Sequence, residues 1–402
     1  MKKLLLFALM AANVSVFAQT TESVAMGAGY ANDVYYSFAT GTVKTESHSN
    51  WHLAFTTKIV DASILINEGI GVELYIASTD TSDWATLDTT GMMWNALHNS
   101  PKTWTEGAFN DGASNHPDYG WGTYNNITHN VIASKIFVLK LPNGDYKKMI
   151  IDRMVTNGNF EFRIANLDGT SAISKTLNKS AYSTKNFFYY DVVADMVVDR
   201  EPATSTWDMV FTRYLEEILP GSWYPVTGVL INNNVTGVEA AMVDTNTVDW
   251  NNYTQTDSIS IVGSNWKSFN NTTFQWVLDD SVAYFVAAQD GNLYKMVFKG
   301  FAGSSTGVIT FSTSIASAIG LEEAELSAVA VFPNPTRGFV NIATNNQEKA
   351  NVEIVALNGK VLQTTMLENG AGQINLQDLK AGLYLVRITQ NSNISVSRII
   401  VQ

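Results

Sequence analysis

SKIFVLKLPNGDYKKMIID (134–152) and SVAYFVAAQDGNLYKMVFK (281–299) align without a gap. Ser134 meets Ser281, Gly144 meets Gly291, and Lys148-Met149 meets Lys295-Met296. Each stretch reads as an apolar strand, a turn built on Asn-Gly or Asp-Gly, and a second apolar strand, which is the signature of a β-hairpin. Further landmarks recur in the same order. VYYSFATGTV (34–43) answers FYYDVVADMVV (188–198), and WHLAF (51–55) answers WDMVF (207–211). WGTYNN (121–126) answers WKSFNN (266–271), and GNFEFRIAN (158–166) answers TGVITFSTS (306–314). Ordered recurrence of this kind predicts two divergent copies of one β-unit, over residues 19–180 and 181–318. The polar, turn-rich segment 166–195 reads as the boundary between them.

Composition supports an all-β class. The chain of 402 residues is 46% hydrophobic and 11% aromatic, yet only 15% charged, against about a quarter in ordinary domains. Asn, Thr, Ser and Gly fill the gap, which suits strands joined by turns. Alternation in WDMVF puts Trp207, Met209 and Phe211 on one face and Asp208 on the other. In WHLAF it sets His52 opposite Trp51, Leu53 and Phe55. The net charge of −12 repels phosphate backbones and argues against nucleic acid as a partner. There is no cysteine, so disulfides, thiolate metal sites and cysteine nucleophiles are excluded.

The start of the chain, MKKLLLFALMAANVSVFAQT, has a basic region at Lys2 and Lys3 and an apolar run from Leu4 to Ala12. Val16 and Ala18 occupy the small positions before a cleavage site, so residues 1–18 are expected to be a signal peptide removed on export to the periplasm. No later stretch is long and apolar enough for a membrane-spanning helix. Residues 319–328 shift to small and acidic residues and are expected to be a linker.

Residues 329–402 form a unit of their own. Pro333, Asn334 and Pro335 mark a turn after a short apolar strand, and Asn358-Gly359 marks a hairpin. The density of short strands predicts a small β-sandwich. The VAVFPNPTRG opening, the NGK turn, the LQDLKAGLYLVRI segment and the basic Arg398 before a final apolar strand resemble the type A C-terminal sorting domain of the type IX secretion system of Bacteroidetes. That resemblance implies engagement of the type IX machinery and a secreted or outer-membrane surface location.

The two copies also resemble the HmuY family of haem-binding β-proteins. WDMVFTRY and GNLYKMVFKGF followed by GVITF carry the likeness in the second copy, while the first has His52 where the pattern has Asp. The resemblance implies haem or another porphyrin as ligand. The family's ligand position, five residues after the Trp of the Trp-x-x-aromatic segment, falls on Asn126 and Asn271, which ligate iron poorly. His129, three residues beyond Asn126, and the adjacent Met92 and Met93 are then the candidate haem ligands.

No catalytic motif stands out: H-E-x-x-H, G-x-S-x-G, the P-loop and the Rossmann fingerprint are all absent. His48, His52, His98, His116 and His129 all fall in the first copy, and His98 and His116 read as solvated loop residues. Adjacent Asp279-Asp280 and Glu216-Glu217 point to opposite faces of a strand, and DTNTVDWNNYTQTD (244–257) reads as a polar loop. The expectation is a non-enzymatic surface protein that binds a ligand. The alternative is a structural or adhesive surface protein without a small-molecule site.

Overall fold

The computed structural model describes residues 19–114, 116–155, 158–318, 330–344, 348–356, 359–390 and 393–402. The expected signal peptide and the 319–328 linker lie outside the described residues. The chain is all-β and divides into two units, Met1–Ala318 and Ile319–Gln402. Among the described residues no helix is long and apolar enough to cross a membrane.

The two aligned stretches fold as expected. Strands Ile136–Lys140 and Tyr146–Val155 pair as one hairpin, and Ala283–Ala287 and Asn292–Phe301 as the other. Gly144 and Gly291 take φ of 90° and 86° at the turns, a left-handed conformation that glycine adopts without strain. Met149 and Met296, matched in the alignment, are each buried at the centre of their own core.

Each hairpin belongs to a two-layer sandwich. In the first sandwich a small sheet of Ile64–Ile66, Leu53–Thr56, Phe187–Asp191 and Met196–Val198 shares its core with a larger sheet. That larger sheet includes Glu73–Ser78, Ile136–Lys140, Tyr146–Val155, Asn159–Asn166 and Ile173–Asn178. In the second, Ser222–Ile231, Met209–Leu219, Asn32–Ser37 and Gly41–Ser47 face the sheet Thr20–Ala25, Val308–Ala318, Asn292–Phe301, Ala283–Ala287 and Thr236–Ala240. Apolar side chains alternate inward along these strands, so burial of one face drives each layer against the other.

The copies set apart at 180/181 exchange their first strands. Asn32–Ser37 pairs with Met209–Leu219, with Val34 opposite Phe211 and Tyr36 opposite Met209. Phe187–Asp191 pairs with Leu53–Thr56 in the same register, with Phe188 opposite Phe55 and Tyr190 opposite Leu53. Thr20–Ala25 likewise lies on the edge of the second sandwich, and Ile173–Asn178 on the edge of the first. The first sandwich is therefore one continuous stretch, 53–198, set between the N-terminal strands and the body of the second. The segment 166–195, expected as a boundary, is strand-forming and belongs to the first sandwich. Residues 315–318 continue the last strand of the second.

Trp51 and Trp207 depart from the expected alternation. Met209 and Phe211 enter the core, but Trp207 packs on the opposite face with Tyr35 and Val210. The strand proper starts at Met209, and the bend at Asp208 turns the tryptophan over. That bend is held because Asp208 accepts the backbone N–H groups of Phe38 and Gln289, both at 2.7 Å. His52 performs the equivalent task in the first sandwich, accepting the N–H of Val192 at 3.2 Å.

The C-terminal unit is a sandwich of two sheets. Ala330–Phe332, Phe339–Ala343 and Ala371–Asn375 form one, and Val361–Leu367, Ala350–Ala356, Gly382–Gln390 and Asn393–Val401 the other. Its PNPT turn clamps the last strand. Asn334 Nδ2 donates to Arg398 O at 2.8 Å and its Oδ1 accepts from Ile400 N at 2.9 Å, while Thr336 N donates to Ile400 O at 2.8 Å.

Candidate ligand site between the two sandwiches

The outward faces of the two small sheets are apolar and meet across a cleft. Ala54, Leu65, Phe187 and Tyr189 come from the first sandwich; Tyr35, Val210 and Leu230 come from the second. Trp104, on a loop of the first, packs on both faces and donates from Nε1 to Ile231 O at 2.9 Å.

A buried polar latch closes one side of this contact. Asp33 stands in the N-terminal strand, and Arg200 follows the last strand of the first sandwich. Arg200 Nη2 donates to Asp33 Oδ2 at 2.6 Å, Thr212 Oγ1 donates to Asp33 Oδ1 at 2.6 Å, and His48 Nδ1 donates to the same oxygen at 2.7 Å. Burial opposes the charge on Asp33, but His48 and Arg200 outweigh it and hold the carboxyl well below the usual carboxylate range. Arg200 also donates to Asn50 Oδ1 at 2.9 Å, Ser47 O at 3.1 Å and the Tyr35 hydroxyl at 3.3 Å, and lies over the Tyr189 ring. Beside it, Glu201 accepts from Asn186 N at 2.7 Å and Tyr189 OH at 2.8 Å. Burial dominates there and pushes the Glu201 carboxyl up to about 7.

Two spaces flank the latch. An inner chamber of about 90 Å³ lies between the apolar faces, lined by Trp51, Tyr189, Tyr35 and Trp104. It is well below the roughly 300–1,000 Å³ of small-molecule sites. An outer groove of about 680 Å³ falls within that range. One wall is the hairpin arm Met209–Leu219 and Ser222–Ile231, which runs well beyond its counterpart Leu53–Thr56 and Ile64–Ile66 in the first sandwich. The other wall is the turn Glu68–Ile70 and the segment around His98. Gly69 touches the arm so closely that a Cβ there would lie 2.5 Å from Arg213 O and 2.3 Å from His48 Nε2.

His98 is therefore not the solvated loop residue expected. It stacks on Trp223 with ring centres 4.0 Å apart and planes 14° apart, and its Nδ1 bonds Glu68 Oε1 at 2.8 Å. Asn99 Nδ2 donates to the other oxygen of Glu68 at 2.9 Å.

The three candidate haem ligands sit elsewhere. His129 is exposed at the tip of the hairpin formed by Gly122–Asn125 and Asn130–Ala133, with φ of 58°. Phe274 holds the matched position in the second sandwich with φ of 54°. In both turns an asparagine side chain, Asn125 or Asn270, accepts two following N–H groups. The Trp-x-x-aromatic-Asn-Asn repeat thus encodes a turn geometry. Met92 and Met93 lie in the loop before Leu97, Met93 being 75% exposed. None of the three lines the chamber or the groove. The 244–257 loop is held by local asparagine–aspartate bonds such as Asn246 to Asp244 and Asn251 to Asp249. Among the described residues no cluster of three or more His, Asp or Glu is arranged to hold a metal ion.

Arg200, Arg213 and Trp223 were not singled out in the sequence. The available signal was the lone basic residue in each of two apolar strand contexts, MVVDREP and MVFTRYL.

The C-terminal sandwich, with its PNPT clamp, is a sorting domain. Residues 330–402 match the family described as the secretion system C-terminal sorting domain. The chain is cargo of the type IX system, destined for the cell surface or the extracellular space. No curated protein matches the chain. Among solved structures it is similar to PorZ, described as an essential bacterial surface component of the type IX secretion system of Porphyromonas gingivalis. The identity is 16% over 70% of this chain and 41% of that one, with a TM-score of 0.18. The chain spans about two fifths of the length of PorZ.

Proposed function

We propose that the exported chain is a non-enzymatic ligand-binding protein of the cell surface, with its ligand site in the outer groove between the two sandwiches. The observation that carries this reading is the groove of about 680 Å³, set beside two sandwich interiors that are filled by their own side chains. The non-enzymatic reading rests on how the cleft's titratable groups are committed. Asp33 is tied to Arg200, His48 and Thr212, Glu68 to His98 and Asn99, Glu73 to Lys140, and Glu201 to Asn186 and Tyr189, so none of these four carboxyls is poised as a free general base.

The HmuY-like resemblance of the two copies makes haem and protoporphyrin IX the first probes. Each is titrated into the chain from Gln19 onward, followed by tryptophan fluorescence and Soret absorbance, with Trp223→Ala and His129→Ala alongside. Saturable binding weakened by Trp223→Ala and untouched by His129→Ala supports the groove. Binding lost only in His129→Ala overturns it in favour of the turn. The second reading, a structural or adhesive surface protein, draws on the filled interiors and the small inner chamber. Absence of saturable binding by haem, protoporphyrin and small aromatic ligands would favour it.

A further inference from the structure

We infer that the outer groove takes a small aromatic carboxylate, with Arg213 as the group that grips the carboxylate; this rests on the groove being the ligand site. Strand register puts Arg213, Leu215 and Glu217 opposite Thr227, Pro225 and Trp223, so these side chains share one face of the arm. Arg213, Leu215, Pro225 and Trp223 line the groove.

The charges facing it are unequal in their commitments. Glu68 is buried and saturated by His98 and Asn99. Glu73 is paired with Lys140 at 2.7 Å and accepts from the Tyr75 hydroxyl. Arg213 is half-buried, and among the described residues its guanidinium makes no hydrogen bond or ion pair. A guanidinium presents a planar fork of N–H donors that matches both oxygens of a carboxylate. Arg213 lines the groove beside Leu215 and Pro225, apolar neighbours that lower the competition from water.

The remaining walls suit a flat apolar body. His98 and Trp223, one from each wall, stack with their planes nearly parallel and give the groove aromatic surface, while Ile70, Val72 and Leu97 add aliphatic surface on the wall of the first sandwich. An uncommitted cation beside aromatic and aliphatic walls selects an aromatic acid over an amine or a sugar.

The test uses 2-naphthoate, 2-naphthamide and 2-naphthylmethylamine, titrated into the chain from Gln19 onward by calorimetry. Expected is saturable binding of the naphthoate, with the amide weaker by about tenfold or more and the amine weaker still. Arg213→Gln is expected to remove the preference for acid over amide, and Arg213→Lys to keep part of it. Near-ultraviolet circular dichroism of each variant checks that the fold is retained. Equal affinity for acid and amide in the unaltered chain overturns the carboxylate assignment while leaving the groove as a site. Binding that Trp223→Ala leaves unchanged, or no saturable binding of any of the three, overturns the groove as well.

Discussion

Asp33→Asn breaks the latch between the two sandwiches with the smallest change of shape. The carboxylate and the Arg200 guanidinium are both almost fully buried, 2.6 Å apart. Asparagine keeps an oxygen for Thr212 or His48 but removes the charge. Arg200 is then left with the neutral oxygens of Asn50, Ser47 and Tyr35. Removing one member of a buried ion pair costs about 3–5 kcal/mol. The retained neutral bonds place Asp33→Asn at the lower end, about 3 kcal/mol. Urea denaturation of the chain from Gln19 onward reads this out by tryptophan fluorescence. All ten tryptophans lie between Trp51 and Trp276, so the signal reports the first unit and not the sorting domain. The midpoint should fall with little change in slope. The Asp33 carboxyl is depressed in the folded chain, so its contribution is present above the unfolded value near 3.8 and fades as pH falls below it. The deficit of Asp33→Asn should accordingly shrink between pH 5 and pH 3. The double change Asp33→Leu with Arg200→Met should cost less than Asp33→Asn alone, because no buried charge is stranded. A deficit below about 1 kcal/mol at pH 7, or a double change that is simply additive, would refute the ion-pair account.

Three other outcomes are expected. Glu201, pushed up to about 7, holds a proton in the folded chain that the unfolded chain releases near 4.5, so stability falls as pH rises between those values. The slope reaches at most about 1.4 kcal/mol per pH unit, and Glu201→Gln should flatten it in urea melts taken from pH 4 to 8. Deleting residues 19–48 removes the buried Val24, Met26, Val34 and Tyr36 from the second core only. Hydrogen exchange should then rise across 209–318 and stay low in 136–166; the reverse pattern would contradict the strand exchange. Gly69→Ala drives a Cβ into His48 and the Arg213 carbonyl and should cost about 1–3 kcal/mol by thermal melting.

The sequence carried the class, the two matched hairpins and the sorting tail because each is written locally. Matched turns such as Asn143-Gly144 and Asp290-Gly291 keep their conformational demand wherever the strands go. Strand exchange was not legible for a definite reason. Val34-Tyr35-Tyr36 and Phe188-Tyr189-Tyr190 present the same faces, so either could pair with either copy's Leu53–Phe55 or Met209–Phe211. Local alternation fixes which side chains point inward but leaves that choice to the connections. The face of Trp207 was misassigned because alternation assumes a continuous strand, and the Asp208 bend interrupts it. The groove was hidden by distance along the chain. Glu68 and His98 meet Arg213 and Trp223 only once the long arm crosses onto the first sandwich. His129 was legible as a landmark, but what its position encodes is the left-handed turn it shares with Phe274.

Hydrogen exchange by mass spectrometry on the chain from Gln19 onward, with and without saturating 2-naphthoate, tests most directly the claim that ligand binds between the sandwiches. The account expects slowed exchange together in 68–73, 96–98 and 213–225, with the 122–133 hairpin unchanged. Protection confined to that hairpin, or no protection anywhere at saturation, would contradict it.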